Sequence, residues 1–179
     1  MQIGCIIVSY NVPGIITRAV KSIKPYVDEV LVIDHSQRKN KAYSETDKLG
    51  VKVLHTNRNL GHGPGMDRGI KDLKTEYVIV MDSDTVVKDG SIIKDMLSMM
   101  RPDVYGVGKA IERLGVNYLH PAFAMIRRSS YLKYAPFVNH GAPCKDAMAS
   151  ISGKMKVIDI NMNKVWHERR RTRERNKVK

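Results

Sequence analysis

Apolar and polar positions follow one another in blocks that predict alternating strands and helices. An apolar strand is predicted over residues 4–10. Pro13 then begins a helix whose apolar positions recur at helical spacing up to Ile23, and Pro25 ends it. A second strand follows over residues 30–33. Strand, helix and strand within this length form a βαβ unit, so the pattern predicts an α/β fold with a mainly parallel sheet.

Further along the chain the alternation of strands and helices becomes less regular. Residues 35–48 are polar and predict a loop with one short helix. The remaining apolar blocks predict a short strand over 51–54, a helix containing Met66, a helix from Ser91, strands over 104–111 and 121–126, a helix over 142–153 and a last strand over 157–160.

The run from Tyr77 to Met81 is short, apolar and rich in β-branched residues, which predicts a strand buried on both faces. It leads directly into Asp82 and Asp84. In open α/β sheets such a strand delivers its last side chains to the edge where ligands bind. Neighbouring carboxylates repel each other unless a positive charge lies between them, and oxygen ligands suit Mg²⁺ or Mn²⁺. The residues therefore indicate a metal–diphosphate site; a solvated turn, or a helix cap made by Asp84, is the alternative.

A glycine-rich segment precedes the helix that contains Met66. Residues 57–70 include four glycines and Pro64, which require tight turns or a close approach of the backbone. Such a loop ahead of a helix can offer backbone N–H groups to phosphate, although no Gly-Lys-Ser/Thr sequence ends it as in a P-loop. A plain surface turn is the alternative.

The composition indicates a globular chain. The 179 residues are 42% hydrophobic and 27% charged, enough for one domain with a sizeable core, which we expect to span residues 1–167. No apolar run is long enough to cross a bilayer, and the first residues lack the features of a signal peptide. Cys5 and Cys144 form neither a disulfide framework nor a metal-ligand spacing, so a reducing cytoplasm is the expected compartment.

The charge is strongly positive. The formal net charge is +13, and basic residues crowd residues 168–179, which we expect to form a basic C-terminal tail. This balance favours a polyanionic partner: nucleic acid, an anionic membrane surface or a phosphorylated substrate.

Five short segments occur in an order and spacing that resemble a known family. They are Ile7–Asn11, Val32–Ser36, Asn59–Ile70, Val80–Asp84 and Val165–His167. With them the chain resembles the small inverting glycosyltransferases of family 2, which have the GT-A fold, over nearly its whole length. This resemblance implies a Rossmann-like, three-layer α/β/α domain that transfers a sugar from a nucleotide-diphospho-sugar, with a UDP-sugar as the expected donor.

The resemblance also implies roles for residues around the nucleotide. Asn11 and Asp34 would line the nucleotide pocket, with Asp34 holding the base or ribose. Asn59 and Gly61 would begin the loop that lies against the sugar nucleotide, and Asp82 would face the ribose or metal-bound waters. For Asp34, a helix-capping or turn-capping role is the alternative.

The metal and the chemistry are assigned in the same way. Asp84 would bind a divalent cation, Mn²⁺ or Mg²⁺, and His167 would complete the metal site, although a lone histidine is otherwise more often structural. Asp146 would be the catalytic base that accepts the proton of the acceptor hydroxyl, and a helix N-cap is its alternative. Arg68 would reach a phosphate or pair with Asp67.

The acceptor is left open by the sequence. We expect the stretch from His120 to Phe123 to border the acceptor cleft, unless His120 is a surface histidine. A growing glycan or a lipid-linked sugar at the inner membrane face is one acceptor, which would make the protein cytoplasmic and peripheral at that membrane. A modified base in DNA is another. A basic nucleic-acid-binding protein without catalysis ranks last, because only 6% of the residues are aromatic.

Overall fold

The computed structural model describes residues 1–138 and 142–168. Nine strands occur in these residues: β1 (Ile3–Ser9), β2 (Glu29–Asp34), β3 (Lys52–His55), β4 (Tyr77–Asp82), β5 (Thr85–Val87), β6 (Val104–Arg113), β7 (Val116–Arg127), β8 (Lys156–Asp159) and β9 (Val165–His167). Six α-helices accompany them: α1 (Ile15–Ile23), α2 (Lys41–Thr46), α3 (His62–Asp72), α4 (Ser91–Met99), α5 (Arg128–Tyr131) and α6 (Pro143–Ser150).

Seven strands form one sheet in the order β3-β2-β1-β4-β7-β6-β8. Strand β1 pairs in parallel with β2 and β4, β2 pairs in parallel with β3, and β6 pairs in parallel with β8. Strand β7 is antiparallel to both of its neighbours. The sheet is therefore mainly parallel, and the α/β fold class predicted from the sequence is confirmed.

The sheet is covered on both faces. Along β1, Cys5 and Ile7 pack into a core with α1 and α4, whereas Ile6 packs into a second core with α3 and α6. Successive side chains of a strand point to opposite faces, so a strand between two helical layers needs apolar residues at nearly every position. This requirement explains the unbroken apolar runs of β1, β2 and β4.

Strand β5 was not predicted from the sequence. It pairs antiparallel with β9, so that Thr85 lies opposite His167 and Val87 opposite Val165. This two-stranded ribbon returns the end of the described chain to the residues that follow β4.

Some predicted boundaries were wrong. Helix α3 begins at His62, ahead of the apolar positions that predicted it, and the helix expected over 142–153 ends at Ser150. The sequence assigned Glu168 to the basic tail, but its side chain is only 9% exposed and lies 2.8 Å from Arg18 Nη2. Its backbone N–H also donates to the carbonyl of Asp84. The rest of the predicted tail, residues 169–179, lies outside the described residues.

In the described part of the chain, no helix is long and apolar enough to cross a bilayer.

Candidate metal and nucleotide site

The predicted site residues gather at the carboxyl edge of the sheet. In the strand register, Asp34 of β2 lies opposite Ser9 and Asp82 of β4 lies opposite Val8, so the two acids flank the end of β1. Asn11 lies two residues beyond β1, and Asp84 lies two residues beyond β4. Parallel strands end at the same edge, which is why residues far apart in sequence meet here.

The side chains of Asp82, Asp84 and His167 form one group of possible metal ligands, called the metal cluster. His167 Nε2 lies 3.2 Å from Asp84 Oδ1 and 3.5 Å from Asp82 Oδ2. One potential ligand atom from each of the three residues lies within 4.8 Å of the other two. The Asp84 side chain is nearly buried, at 9% exposed, and the other two are partly buried.

The pairing of β5 with β9 creates this cluster. His167 lies opposite Thr85, the residue after Asp84, and the Glu168 N–H donates to the Asp84 carbonyl at 2.9 Å. These contacts hold the histidine beside the acid across more than eighty residues of sequence. The local sequence alone could not reveal this proximity.

The donor set fits a divalent cation. Two carboxylate oxygens suit Mg²⁺ and Mn²⁺, and an imidazole nitrogen broadens the choice toward transition metals such as Mn²⁺. Among the described residues, Asp82, Asp84 and His167 lie close enough together to hold a metal ion.

His62 is a site residue that the sequence reasoning missed. It is the first residue of α3, and its Nε2 lies 3.0 Å from Asp82 Oδ1. Gly61 precedes it with φ +92°, a backbone conformation that favours glycine, and the Gly61 N–H donates to Asn59 Oδ1 at 2.9 Å. A histidine within the glycine-rich segment was the available signal, but its partner depends on where the helix begins.

The charges of these groups are coupled. Burial would raise the pKa of Asp82, but the hydrogen bond from His62 and the nearby His167 and His120 outweigh burial and lower it. Burial would likewise lower the pKa of His62, but its hydrogen bond to Asp82 and the charges of Asp82 and Asp84 raise it. When protonated, the histidines around Asp82 therefore compensate the charge of the clustered carboxylates.

His120 borders the cluster, in keeping with the expectation that its strand passes the site. The ring centroids of His120 and His167 are 5.6 Å apart. The backbone N–H of Ala122 donates to His120 Nδ1 at 3.1 Å, which leaves the proton of a neutral ring on Nε2. The ring is thus held beside the metal cluster by its own strand.

Asp34 lies at the carboxyl edge of the sheet, where its side chain contacts other residues of the protein. Its side chain is fully buried. Its oxygens accept hydrogen bonds from the backbone and hydroxyl of Ser36, and they lie within hydrogen-bond distance of Thr46 and His55. The bond from the Ser36 backbone is the turn-capping contact that the sequence left as the alternative. Asn11 adopts a left-handed backbone with φ +54°, and its N–H donates to Ser36 Oγ.

Arg68 is not brought to the metal cluster. It is exposed on α3, and its Nε lies 3.2 Å from Asp72 Oδ2. The predicted pairing with Asp67 is wrong, because Asp67 pairs with Lys71 and accepts a hydrogen bond from Tyr131. The helical spacing of three to four residues favours the partner one turn ahead over the adjacent residue.

Asp146 lies in the first turn of α6 and is exposed. The alternative reading as a helix N-cap is wrong, because the N-cap is Ala142. Helix α6 packs against β7 and α3. Burial raises the pKa of the Cys144 thiol in its first turn, and the charge of Asp82 raises it further.

A surface cavity lies away from the cluster. An open cavity of about 350 Å³ is lined by the β6–β7 turn and the end of α6, and it contains none of the clustered residues.

The sequence of this chain matches a known protein family. The model of the family described as glycosyl transferase family 2 matches residues 5–118, which is more than half of the chain. No curated protein sequence matches the chain.

Solved structures share the fold at low sequence identity. A mannosyltransferase from Pyrobaculum calidifontis, in complex with GDP-Man and Mn²⁺, superposes with a TM-score of 0.72 at 16% identity. The match covers 89% of this chain but 54% of the mannosyltransferase, so the chain spans about half of that protein.

A second structure is glucosyl-3-phosphoglycerate synthase from Mycobacterium tuberculosis, in complex with Mn²⁺, UDP and phosphoglyceric acid. It superposes with a TM-score of 0.74 at 16% identity, covering 98% of this chain and 73% of the synthase. The GT-A fold expected from the sequence is confirmed.

Proposed function

The chain belongs to glycosyl transferase family 2, and from this premise we propose that it is a metal-dependent, inverting glycosyltransferase. It would move a sugar from a nucleotide-diphospho-sugar to a hydroxyl group of an acceptor. The observation that carries the proposal is the cluster of Asp82, Asp84 and His167 at the carboxyl edge of the sheet.

The cluster supplies the metal part of the proposal. Asp84 and His167 would hold Mn²⁺ or Mg²⁺, and Asp82 would face the ribose or the waters of the ion. A divalent cation bound there would neutralise the charge that builds up on the departing diphosphate. The two GT-A neighbours, each in complex with Mn²⁺, support this choice of cofactor.

The donor would lie along the ends of β1, β2 and α3. Asn11 would line the nucleotide pocket, and Asn59 and Gly61 would present the start of α3 to the sugar nucleotide. We expect a UDP-sugar, supported by the synthase that binds UDP; the mannosyltransferase in complex with GDP-Man makes a GDP-sugar the competing donor. Arg68 has no part in this proposal, because it pairs with Asp72 on the far half of α3.

Asp146 is the proposed base. The acceptor hydroxyl would attack the anomeric carbon while its proton passes to the Asp146 carboxylate, and the bond from that carbon to the diphosphate oxygen would break. Attack from the face opposite the leaving group inverts the anomeric configuration. The exposure of Asp146 in the first turn of α6 supports this role.

The activity is tested by offering the protein a panel of UDP- and GDP-sugars with Mn²⁺ and measuring release of the nucleoside diphosphate. We expect release from one donor, loss of release in EDTA, and loss of transfer in Asp146→Asn with donor binding retained. The anomeric configuration of a transferred sugar, read by NMR, tests inversion. Failure of every donor in the presence of metal would overturn the proposal.

The net charge of +13 supports a polyanionic acceptor or surface. A glycan or lipid-linked acceptor at an anionic membrane and a modified base in DNA both fit that charge. Duplex DNA binding that is undetectable at physiological salt would exclude the DNA acceptor, because phosphate contacts dominate such binding.

A further inference from the structure

The end of β2 is tied to the end of β3 through a histidine. His55, the last residue of β3, has Nδ1 3.1 Å from Asp34 Oδ2 and Nε2 2.8 Å from Asp47 Oδ1. Both ring nitrogens lie within hydrogen-bond distance of carboxylate oxygens, which accept hydrogen bonds. One side chain thus connects a buried acid at the ligand edge with a surface acid.

The ring of His55 is also held by stacking. Its centroid lies 3.7 Å from that of Tyr43 in α2, with 20° between the planes. The His55 side chain is 14% exposed, Asp34 is fully buried and Asp47 is half-exposed. Stacking and the contacts of both ring nitrogens leave the imidazole little freedom to turn, so it fixes the position of the Asp34 carboxylate.

The network continues from Asp34 to the end of β1. Ser36 Oγ donates to Asp34 Oδ1 at 2.7 Å and accepts the Asn11 backbone N–H at 2.9 Å. Asn11 is a non-glycine residue with positive φ, a conformation that surrounding contacts must hold in place. Its Oδ1 is buried and has no hydrogen-bond partner among the described residues.

We propose that His55 is a positioning residue for the nucleoside side of the donor site, acting through Asp34 and Ser36 on Asn11. In this assignment, Asp34 supports the wall of the nucleoside pocket, and Asn11 Oδ1 contacts the nucleoside. The inference rests on the proposed function, since it names what orders the donor pocket. It departs from the role expected of Asp34 from the family resemblance.

The burial of Asp34 explains why His55 matters. A buried carboxylate is tolerated only where hydrogen-bond donors replace water. Without the imidazole, Asp34 Oδ2 loses the contact of 3.1 Å and keeps the longer one to Thr46 at 3.3 Å. The carboxylate then reorients, Ser36 follows it, and the backbone of Asn11 loses its anchor. The metal cluster shares none of these contacts, so the effect is confined to the nucleoside side.

Two probes separate the nucleoside side from the metal side. Inorganic pyrophosphate with Mn²⁺ reports the metal–diphosphate part alone, whereas the best-binding member of a panel of UDP, GDP, ADP and CDP reports both parts. The variant His55→Phe keeps a ring for stacking on Tyr43 and removes both nitrogens. Val53→Ala, in the same strand and outside the network, is the matched control for a weakened β3.

We expect His55→Phe to weaken the nucleoside diphosphate roughly tenfold or more and to leave pyrophosphate within about twofold. Asp47→Asn, at an exposed position, should weaken the nucleotide by a smaller factor in the same direction. It also reports on the network should His55→Phe fail to fold. Val53→Ala should leave the ratio of the two affinities unchanged.

The inference would be overturned if folded His55→Phe had the wild-type ratio of nucleotide to pyrophosphate affinity. If His55→Phe does not fold, the same ratio in Asp47→Asn would overturn it. Wild-type protein that binds neither probe with Mn²⁺ would overturn the proposed function and the inference with it. If the wild type binds both probes and His55→Phe shows the same ratio of the two affinities, the inference alone is overturned.

Discussion

His62 Nε2 lies 3.0 Å from Asp82 Oδ1, which ties the first residue of α3 to the last residue of β4. The other oxygen of the same carboxylate faces His167 at 3.5 Å. His62 therefore fixes the rotation of Asp82 and decides which oxygen is left for the metal cluster. Loss of a residue that orients a side chain at a metal site typically costs roughly 10- to 100-fold in metal affinity.

Replacement of His62 tests this relationship. We expect His62→Ala to weaken Mn²⁺ binding roughly 10- to 100-fold, because Asp82 loses the contact that orients it. Electron paramagnetic resonance of free Mn²⁺ measures the affinity directly and needs no substrate. Lys71→Ala, which removes an exposed pair on the same helix, is the control and should bind Mn²⁺ as the wild type does. Equal affinities in His62→Ala and wild type would contradict the orienting role.

The same pair gives the metal-free protein a dependence of stability on pH. The pKa of His62 is raised, so its stabilising effect is full below its ordinary value of 6.5 and is lost as the pH rises through the folded value. The pKa of Asp82 is lowered, so its effect is present above its ordinary value of 3.8 and is lost as the pH falls through the folded value. The pair therefore stabilises most between these two ordinary values.

Thermal unfolding in EDTA measures this dependence. The difference in Tm between wild type and His62→Ala should be larger near about pH 5.5 than near about pH 8.5. A difference that stays constant over this range would mean that packing, and not the charged pair, accounts for the stabilisation.

The pair of Arg18 and Glu168 should matter for both stability and metal binding. Glu168 is nearly buried and follows His167, so its contact with α1 holds β9 in place. We expect Arg18→Met and Glu168→Gln each to cost about 1 kcal/mol of unfolding free energy, limited by the half-exposed arginine, and to weaken Mn²⁺ binding. Chemical denaturation and a double-mutant cycle measure the coupling.

The exposed pair of Lys109 and Asp159 is the control for that cycle. Lys109→Ala should change neither the free energy of unfolding nor the affinity for Mn²⁺ appreciably. If the two variants at Arg18 and Glu168 lose stability but bind Mn²⁺ as before, the position of β9 does not depend on this ion pair.

The basic residues at the end of the chain should mediate contact with anionic surfaces. Residues 169–179 contain seven lysines and arginines against Glu174, and each basic residue near an anionic leaflet contributes about 1 kcal/mol. A chain ending at Glu168 should lose binding to phosphatidylserine vesicles in a sedimentation assay and keep nucleotide binding. Vesicle binding equal to that of the full chain would contradict this role.

The main sheet could be predicted because its strands carry their own signal. Strands β1, β2 and β4 are buried on both faces, so their apolar runs are unbroken and their ends are marked by polar residues. The acids Asp82 and Asp84 could be assigned to the ligand edge for the same reason: their position follows from the strand that they end.

Other features depend on contacts between distant residues and could not be predicted locally. Strand β5 has three residues, too few to show a period, and it exists through its pairing with β9. The contact of His62 with Asp82 depends on where α3 begins. The burial of Asp34 depends on Thr46 and His55, which belong to other elements.

The central claim is a donor site built on the metal cluster. Calorimetric titration with UDP, and in parallel with GDP, tests it most directly. Wild-type protein and Asp84→Asn are each titrated with Mn²⁺ present and with EDTA present. The account predicts that one of the nucleotides binds to the wild type with Mn²⁺, and that this binding is lost in EDTA and in the variant. Binding that is the same with and without metal, or that survives in Asp84→Asn, would contradict it.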